Sequence, residues 1–242
     1  MGELRILVSG DQAVSVEMGS EISIEVNKKV LMLQAELEND PVEGVTETLP
    51  TYASLMVHYD PEKILFDELA REIRLRAEKM HELPETVKRI VEIPVCYGGD
   101  FGPDLEYCAE LEKTTPQEII RIHSEHDYYV YMLGFAPGHP YAARFDEPFS
   151  FKRRETARIK IPARSVVVQL NLSDLIPFEQ PCGWNIIGQT PCEICDYTRK
   201  DPFLVHAGEW TRYKPISVDE FHRIRKAVET GKWKPNIITQ RG

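Results

Sequence analysis

Residues 88–104 read KRIVEIPVCYGGDFGPD, and the point at which this stretch breaks decides how the chain is divided. Lys88 to Val95 is rich in β-branched residues and reads as a strand. Tyr97 to Asp104 carries Gly98, Gly99, Gly102 and Pro103 and reads as a loop. Backbone amides in such a loop can cradle an anion, but no G-x-x-x-x-G-K-[ST] pattern accompanies it. A turn between two domains is the preferred reading.

Upstream of the break, Leu4 to Val8 and Ala13 to Met18 alternate like strands around Gly10-Asp11. Ile22, Val26, Val30, Leu33 and Leu37 then fall on one face of a helix, ended by Pro41 and Gly44. Val45 to Leu49 and Ser54 to Tyr59 read as strands. Leu65, Leu69, Ile73 and Met80 stripe a second helix that Leu83-Pro84 stops. Adding 88–95 gives strand, helix, strand, strand, helix, strand, the split βαβ arrangement of a sheet covered by two helices. The expectation is an α+β domain over residues 1–95.

Downstream, Asp104 to Lys113 and a helix opened by Thr115-Pro116-Gln117-Glu118 are short. The second of these presents Ile119, Ile122 and His123. From Tyr128 onward the pattern is nearly all strand: 159–161, 165–170, 184–188, 192–197, 203–206 and 211–215, separated by Pro, Gly, Asp and Asn. Many short strands close into a barrel or sandwich. Ser217-Val218-Asp219-Glu220 is a capping box for a last helix with Phe221, Ile224 and Val228 on its buried edge. The second domain is expected over 96–230, followed by a tail over 231–242.

At 242 residues, with 42% hydrophobic and 28% charged residues, the chain has enough interior for two cores. Its formal charge of -10 (29 basic against 39 acidic residues) argues against nucleic acid as partner. No signal segment or membrane span is read, so the expected location is cytoplasmic. Five cysteines do not form a secreted framework. Cys192 and Cys195 spell C-x-x-C, with Cys182 and His206 as further possible zinc ligands. Residues 191–197 read as a strand, however, where positions three apart face opposite sides. Buried inert thiols are preferred, and no metal is expected.

The most unusual local pattern is Tyr131-Met132-Leu133-Gly134-Phe135-Ala136-Pro137-Gly138-His139-Pro140-Tyr141. A packed strand runs into a loop that glycines free and prolines stiffen. Such loops on rigid scaffolds often hold ligands. A tight corner over buried tyrosines is the alternative.

Together with Gly10-Asp11, Glu17, 50–55 (PTYASL), 57–61 (VHYDP), 93–99 (IPVCYGG), 101–105 (FGPDL), His123-Ser124, Arg153-Arg154, 161–163 (IPA), Gly183-Trp184, 187–191 (IGQTP) and 215–217 (PIS), this loop forms an ordered set. By that set the chain resembles the KipI and allophanate hydrolase subunit 1 family, whose members include the B-type subunit of 5-oxoprolinase. The resemblance implies a ferredoxin-like domain followed by a cyclophilin-like β-barrel. It implies a B-type subunit, inactive alone, that works with a homologous C-type subunit and an A-type subunit to open the 5-oxoproline lactam to glutamate. ATP, with Mg as its counter-ion, would be bound in the complex. Other members suggest alternatives: a regulatory protein inhibiting a sensor histidine kinase, or a subunit associated with urea carboxylase or allophanate hydrolase.

Opening a lactam by transient phosphorylation of its amide oxygen needs positioning and positive charge more than a nucleophile. Arg153 and His123 are the candidate catalytic residues, His123 as an acid or base. A solvated loop for the arginines and a hydrogen-bonded core position for His123 are the plainer readings. The small-molecule substrate is expected at Gly134, Phe135, Pro137, Gly138, His139, Arg154, Pro162, Arg164 and Gln169, and a partner interface at Gly183 and Trp184. His58, in a strand of the first domain, reads as structural or interfacial. No G-x-S-x-G elbow or H-E-x-x-H is present. Where the family usually continues Pro-Ala-Gly-Ser-Val-Gly-Ile-Ala-Gly-Gly-Gln, this chain has PARSVVVQLN over 162–171, and His139 stands where Phe is common. Losing those glycines forbids some backbone conformations and would reshape a groove there. A shifted substrate preference, or a retained binding surface with reduced activity, is the expected consequence.

Overall fold

A computed structural model describes residues 4–80, 87–142 and 149–241. The chain divides into two compact units, Met1–Thr86 and Val87–Gly242. Among the described residues no helix is long and apolar enough to cross a membrane.

The first unit contains β1 (Arg5–Val8), β2 (Ala13–Glu17), α1 (Ile24–Asn39), β3 (Val45–Pro50), β4 (Ser54–Tyr59) and α2 (Phe66–Lys79). Its strands form an antiparallel sheet of order β1-β2-β4-β3. Val14, Val16, Leu55 and Val57 point from the sheet onto Val30, Leu33, Leu37, Leu69 and Ile73 of the helices. Ser23 caps α1 by accepting a bond from the Val26 amide at 3.2 Å. Ile22 therefore precedes the cap and is exposed rather than part of the apolar face. Asn27 takes the buried face instead, donating through Nδ2 to the carbonyls of Thr51 (2.8 Å) and Tyr52 (3.3 Å). The helix stop read at Leu83-Pro84 lies outside the described residues.

The second unit contains β5 (Val87–Tyr97), α3 (Leu105–Leu111), α4 (Pro116–Glu125), β6 (Asp127–Leu133), β7 (Pro140–Ala142), β8 (Arg158–Ile161) and β9 (Ser165–Gln169). It continues with β10 (Leu172–Leu175), β11 (Gln180–Cys182), β12 (Asn185–Gln189), β13 (Trp210–Pro215), α5 (Val218–Glu229) and β14 (Asn236–Arg241). The main sheet runs β10-β9-β12-β5-β13-β6-β7 with β14 also on β5. β7 approaches β10, so the sheet nearly closes into a barrel. β8 and β11 form a separate two-stranded ribbon. Inside lie Val91, Ile93, Val95, Tyr128, Val166 and Val168, plugged by Leu105, Cys108 and Ile119 from α3 and α4. The α+β class and the barrel are as expected.

Three expectations are corrected. The strand at 88–95 does not complete the first sheet: β5 lies parallel to β13 over Ile90–Val95 and antiparallel to β14 over Val87–Glu92. Ile90, Val91, Ile93 and Val95 are all fully buried, a near-continuous apolar run that needs a covered position on both faces. The division thus falls before this strand, not after it, at the 86–87 boundary instead of 95–96. The expected tail over 231–242 holds β14, which pairs along the β5 edge. Residues 192–197 and 203–206 make a single bridge, Cys195 to Phe203, rather than strands. There the Asp196 carboxylate accepts from the Thr198 amide (2.9 Å) and that of Asp201 from the Phe203 amide (3.3 Å), so side-chain turns compete with ladder bonds.

Candidate functional site

Strand alternation sorts β9 and β10 into two faces. Val166, Val168 and Ser173 face the barrel interior, where Ser173 meets His123. Val167 and Asp174 face the other way and border a cavity of about 210 Å³. The hairpin from β6 to β7 supplies Phe135, His139 and Tyr141 to it, and the ribbon strand β11 with the following turn supplies Cys182, Gly183 and Trp184. Arg153 completes the wall.

The hairpin loop is closed by the Gly134 amide donating to the His139 carbonyl (3.0 Å) and the His139 amide donating to the Ala136 carbonyl (3.0 Å). Gly138 has φ +76° and lies so close to Cys195 and Phe203 that a Cβ would sit 3.0 and 3.1 Å from them. Phe135 has φ +65° while 76% exposed. A bulky residue in the left-handed region costs about 1–3 kcal/mol, and such strain clusters at functional sites.

His139 is 7% exposed, its ring stacked on Tyr141 at 5.3 Å and edge-on to Phe135 at 5.8 Å. Its Nε2 lies 3.6 Å from Oδ2 of Asp174, within ion-pair reach but longer than a hydrogen bond. Its Nδ1 is buried without a hydrogen-bond partner among the described residues. Burial pushes the Asp174 carboxyl up from its ordinary value, while His139 and the Ala142 amide pull it back. Burial likewise raises the Cys182 thiol, so it is a poor thiolate nucleophile. Arg153 is exposed and makes no ion pair among the described residues. Its guanidinium lies against Gly183, where a Cβ would meet Nε at 2.5 Å. Glycine at 183 therefore seats this arginine at the cavity.

The structure brings together Phe135, His139, Arg153, Gly183 and Trp184 from among the expected site residues. Gly134, Pro137 and Gly138 shape the hairpin without bordering the cavity. Gly183 and Trp184, expected at a partner interface, form cavity wall. Tyr141, from the loop expected to hold ligands, and Cys182 join them, and Asp174 and Ile176 do so without having been anticipated. A carboxylate inside the run Leu172-Ser173-Asp174-Leu175-Ile176 is the signal that could have revealed Asp174, because charge is seldom placed in an apolar strand without a use.

Several expected residues lie elsewhere, for clear reasons. Arg154 donates to Oδ1 of the buried Asp104 at 2.9 Å. Arg158 donates to both oxygens of the same carboxylate, at 2.7 and 2.8 Å, and the Ile186 amide adds a bond of 2.8 Å. Arg154 is thus a structural clamp rather than a substrate ligand. Arg164 pairs with Glu193 (3.3 Å), which also takes a bond of 2.5 Å from Arg225. Its backbone has φ +68°, and Leu170 has φ +52°. Both stand where the resembled pattern has glycine, so the expectation that losing glycine forbids the conformation fails. The chain keeps it, at about 1–2 kcal/mol per residue. Pro162 is exposed in the same turn, and Gln169 ends β9 with Oε1 buried and unpaired among the described residues. Neither borders the cavity.

His123 is fully buried. Its Nδ1 is 2.6 Å from the Tyr97 hydroxyl, its Nε2 is 2.7 Å from that of Ser173, and its ring stacks on Tyr213 at 4.2 Å. Burial pushes its pKa down to about 3, with His126 adding to the effect. With both nitrogens engaged inside the barrel, it is a neutral core residue and corrects the catalytic reading. Four amides of the Tyr97–Asp104 loop are also bonded internally. The amides of Gly98 and Asp104 donate to the carbonyls of Ile187 and Ile186, and those of Phe101 and Gly102 donate to Gly98. A Cβ at Gly102 would sit 2.0 Å from the Ile187 carbonyl oxygen. Gly98 and Gly102 serve close packing, and these four amides are already taken and do not cradle a phosphate. Cys96, Cys108, Cys192 and Cys195 are buried, with the thiols of Cys108 and Cys192 pushed up to about 12 by burial.

Residues 4–205 match the family described as carboxyltransferase domain, subdomain C and D. The chain belongs to that family. Among curated relatives it is 36% identical over 227 residues to the B-type subunit of 5-oxoprolinase from Bacillus subtilis (strain 168), covering 90% of this chain and 95% of the relative. The resemblance drawn from the motifs is therefore borne out. Among solved structures it superposes on TTHA0988 with a TM-score of 0.75 at 29% identity, over 85% of this chain and 40% of that one. The urea carboxylase of Kluyveromyces lactis gives a TM-score of 0.76 at 17% identity, over 98% of this chain and 24% of that one, and so shares the fold. The carboxyltransferase-domain family thus spans both structural units, with the cavity in the second.

Proposed function

We propose that this chain is the B-type subunit of an ATP-dependent complex that opens the 5-oxoproline lactam to glutamate. The observation that carries the reading is the 36% identity over 227 residues with a relative named as the B-type subunit of 5-oxoprolinase, covering 90% of this chain and 95% of that one. The cavity agrees with it in kind: a small concave site with aromatic walls, a cation without an ion-pair partner among the described residues, and a buried polar pair. In the chain's own glycine-rich loop the amides of Gly98, Phe101, Gly102 and Asp104 are engaged internally, so nucleotide handling is assigned to partners, a homologous C-type subunit and an A-type subunit. This chain would bind and orient the lactam acid and keep water from it. The phosphoryl chemistry would be completed in the complex.

The test is ATP hydrolysis by the purified chain combined with its C- and A-type partners, with and without 5-oxoproline. Turnover that requires the lactam and releases glutamate is the expected result. A tight complex that neither hydrolyses ATP nor opens the lactam would overturn the reading.

A further inference from the structure

Two features of the 210 Å³ cavity are unfinished in the chain itself. The Nδ1 of His139 is buried without a hydrogen-bond partner among the described residues, in a side chain more than nine-tenths buried. A buried polar atom left without a partner costs about 1–3 kcal/mol, so a native structure that keeps one has a use for it. The second feature is Arg153, a cation held on the wall by Gly183 with no carboxylate paired to it among the described residues.

The chemistry of the missing partners follows from the chemistry of these groups. The Asp174 carboxylate faces Nε2 of His139. A proton on Nε2 is attracted to that carboxylate, whereas a lone pair there would be repelled, so this geometry favours the tautomer with Nε2–H. Nδ1 is then an acceptor, and what meets it must be a donor. Arg153 presents N–H donors and a fixed positive charge, which suit a carboxylate. Tyr141 and Trp184 supply flat aromatic surface to the cavity lining. The volume is on the order of seven water molecules, enough for one small ring with a short substituent.

We propose that this cavity is the binding site for a small cyclic acid whose ring N–H is adjacent to its carboxylate, with the N–H donating to Nδ1 of His139 and the carboxylate held by Arg153. The lactam acid of the proposed function has this arrangement of groups, and in naming that ligand the inference rests on the proposed function. Asp174 is a positioning residue that sets the imidazole tautomer, and His139 and Arg153 are the specificity-determining contacts. No bond is made or broken in this assignment.

Calorimetric titration of the full chain with three probes tests it: 5-oxoproline, its N-methyl derivative, which lacks the donor, and 5-oxoprolinamide, which lacks the charge. The expected result is that 5-oxoproline binds and that each altered probe binds about tenfold or more weakly, the loss of one buried hydrogen bond. In His139→Phe the difference between 5-oxoproline and its N-methyl derivative should vanish while the preference over the amide survives. In Arg153→Ala the reverse should hold. His139→Gln restores an acceptor and should regain the N–H preference, which separates the contact from a general effect on folding. Absence of binding to the full chain, or an N–H preference unchanged in His139→Phe, overturns the assignment. If the assembled complex then still opens 5-oxoproline, the proposed function stands and only this site falls. If the probe pattern appears but the complex leaves the lactam intact, the site stands and the proposed function falls.

Discussion

Two buried histidines separate structure from function at the scale of single residues. His123 has a partner on each nitrogen and a stacked tyrosine, whereas His139 keeps one nitrogen unpaired among the described residues, in a cavity. Sequence alone places both near the site, because a histidine on an apolar face looks the same whether its ring is satisfied or waiting. The difference has a pH signature. The His123 ring ordinarily titrates near 6.5 but is pushed down to about 3 in the fold. Between those values the unfolded chain binds a proton that the folded chain does not. His123's contribution is therefore complete above about pH 6.5 and is lost as pH falls toward 3, by up to about 1.4 kcal/mol per pH unit. His123→Phe should remove this acid limb while costing about 1–3 kcal/mol at neutral pH, where the Tyr97 and Ser173 hydroxyls lose a partner. Urea midpoints of both proteins at pH 7.5, 5.5 and 4.5 check this, and an equally steep acid limb in the variant would sink it.

Helices were the most legible elements, because their signals are local. The Thr115 and Ser217 caps are readable from spacing, and each accepts a bond of 3.2 Å from the amide three residues on. Strands depend on partners far away. β14 looks like a polar tail because Asn236, Ile237, Thr239 and Gln240 are exposed, and only the open edge of β5 makes it a strand. That edge is divided, with β12 pairing at Cys96 and Tyr97 and β14 covering Val87 to Glu92. Deleting residues 236–242 should therefore cost a modest 1–3 kcal/mol or so, since little apolar surface is uncovered. It should raise the tendency to aggregate, since a bare strand edge invites pairing. Light scattering during incubation at 37 °C, alongside a urea titration, measures both. A truncated protein as resistant to aggregation as the full chain would count against β14 as an edge cover.

For the whole molecule, the consequence of moving the division to Val87 is a difference between two fragments. A fragment of residues 87–242 keeps β5, while one of residues 96–242 loses Ile90, Val91, Ile93 and Val95, all fully buried. At about 1.5–3 kcal/mol for each buried side chain, the loss is on the order of 6–12 kcal/mol, comparable to the whole stability of a domain. The longer fragment should give a cooperative unfolding transition by circular dichroism, and the shorter one none. A cooperatively folded 96–242 fragment would return the boundary to its sequence-read position. By itself the sequence determined the family, the α+β class, the helices and the loop at 134–138, because periodicity, capping and motif order are written in neighbouring residues. Only the tertiary structure decided which sheet receives residues 87–97, that Arg154 and Arg164 serve structural ion pairs, and that Asp174 stands beside His139. The physical reason is that strand pairing, burial and charge compensation are set by residues distant in sequence, as Asp104 with Arg154 and Arg158 and β5 with β13 both show.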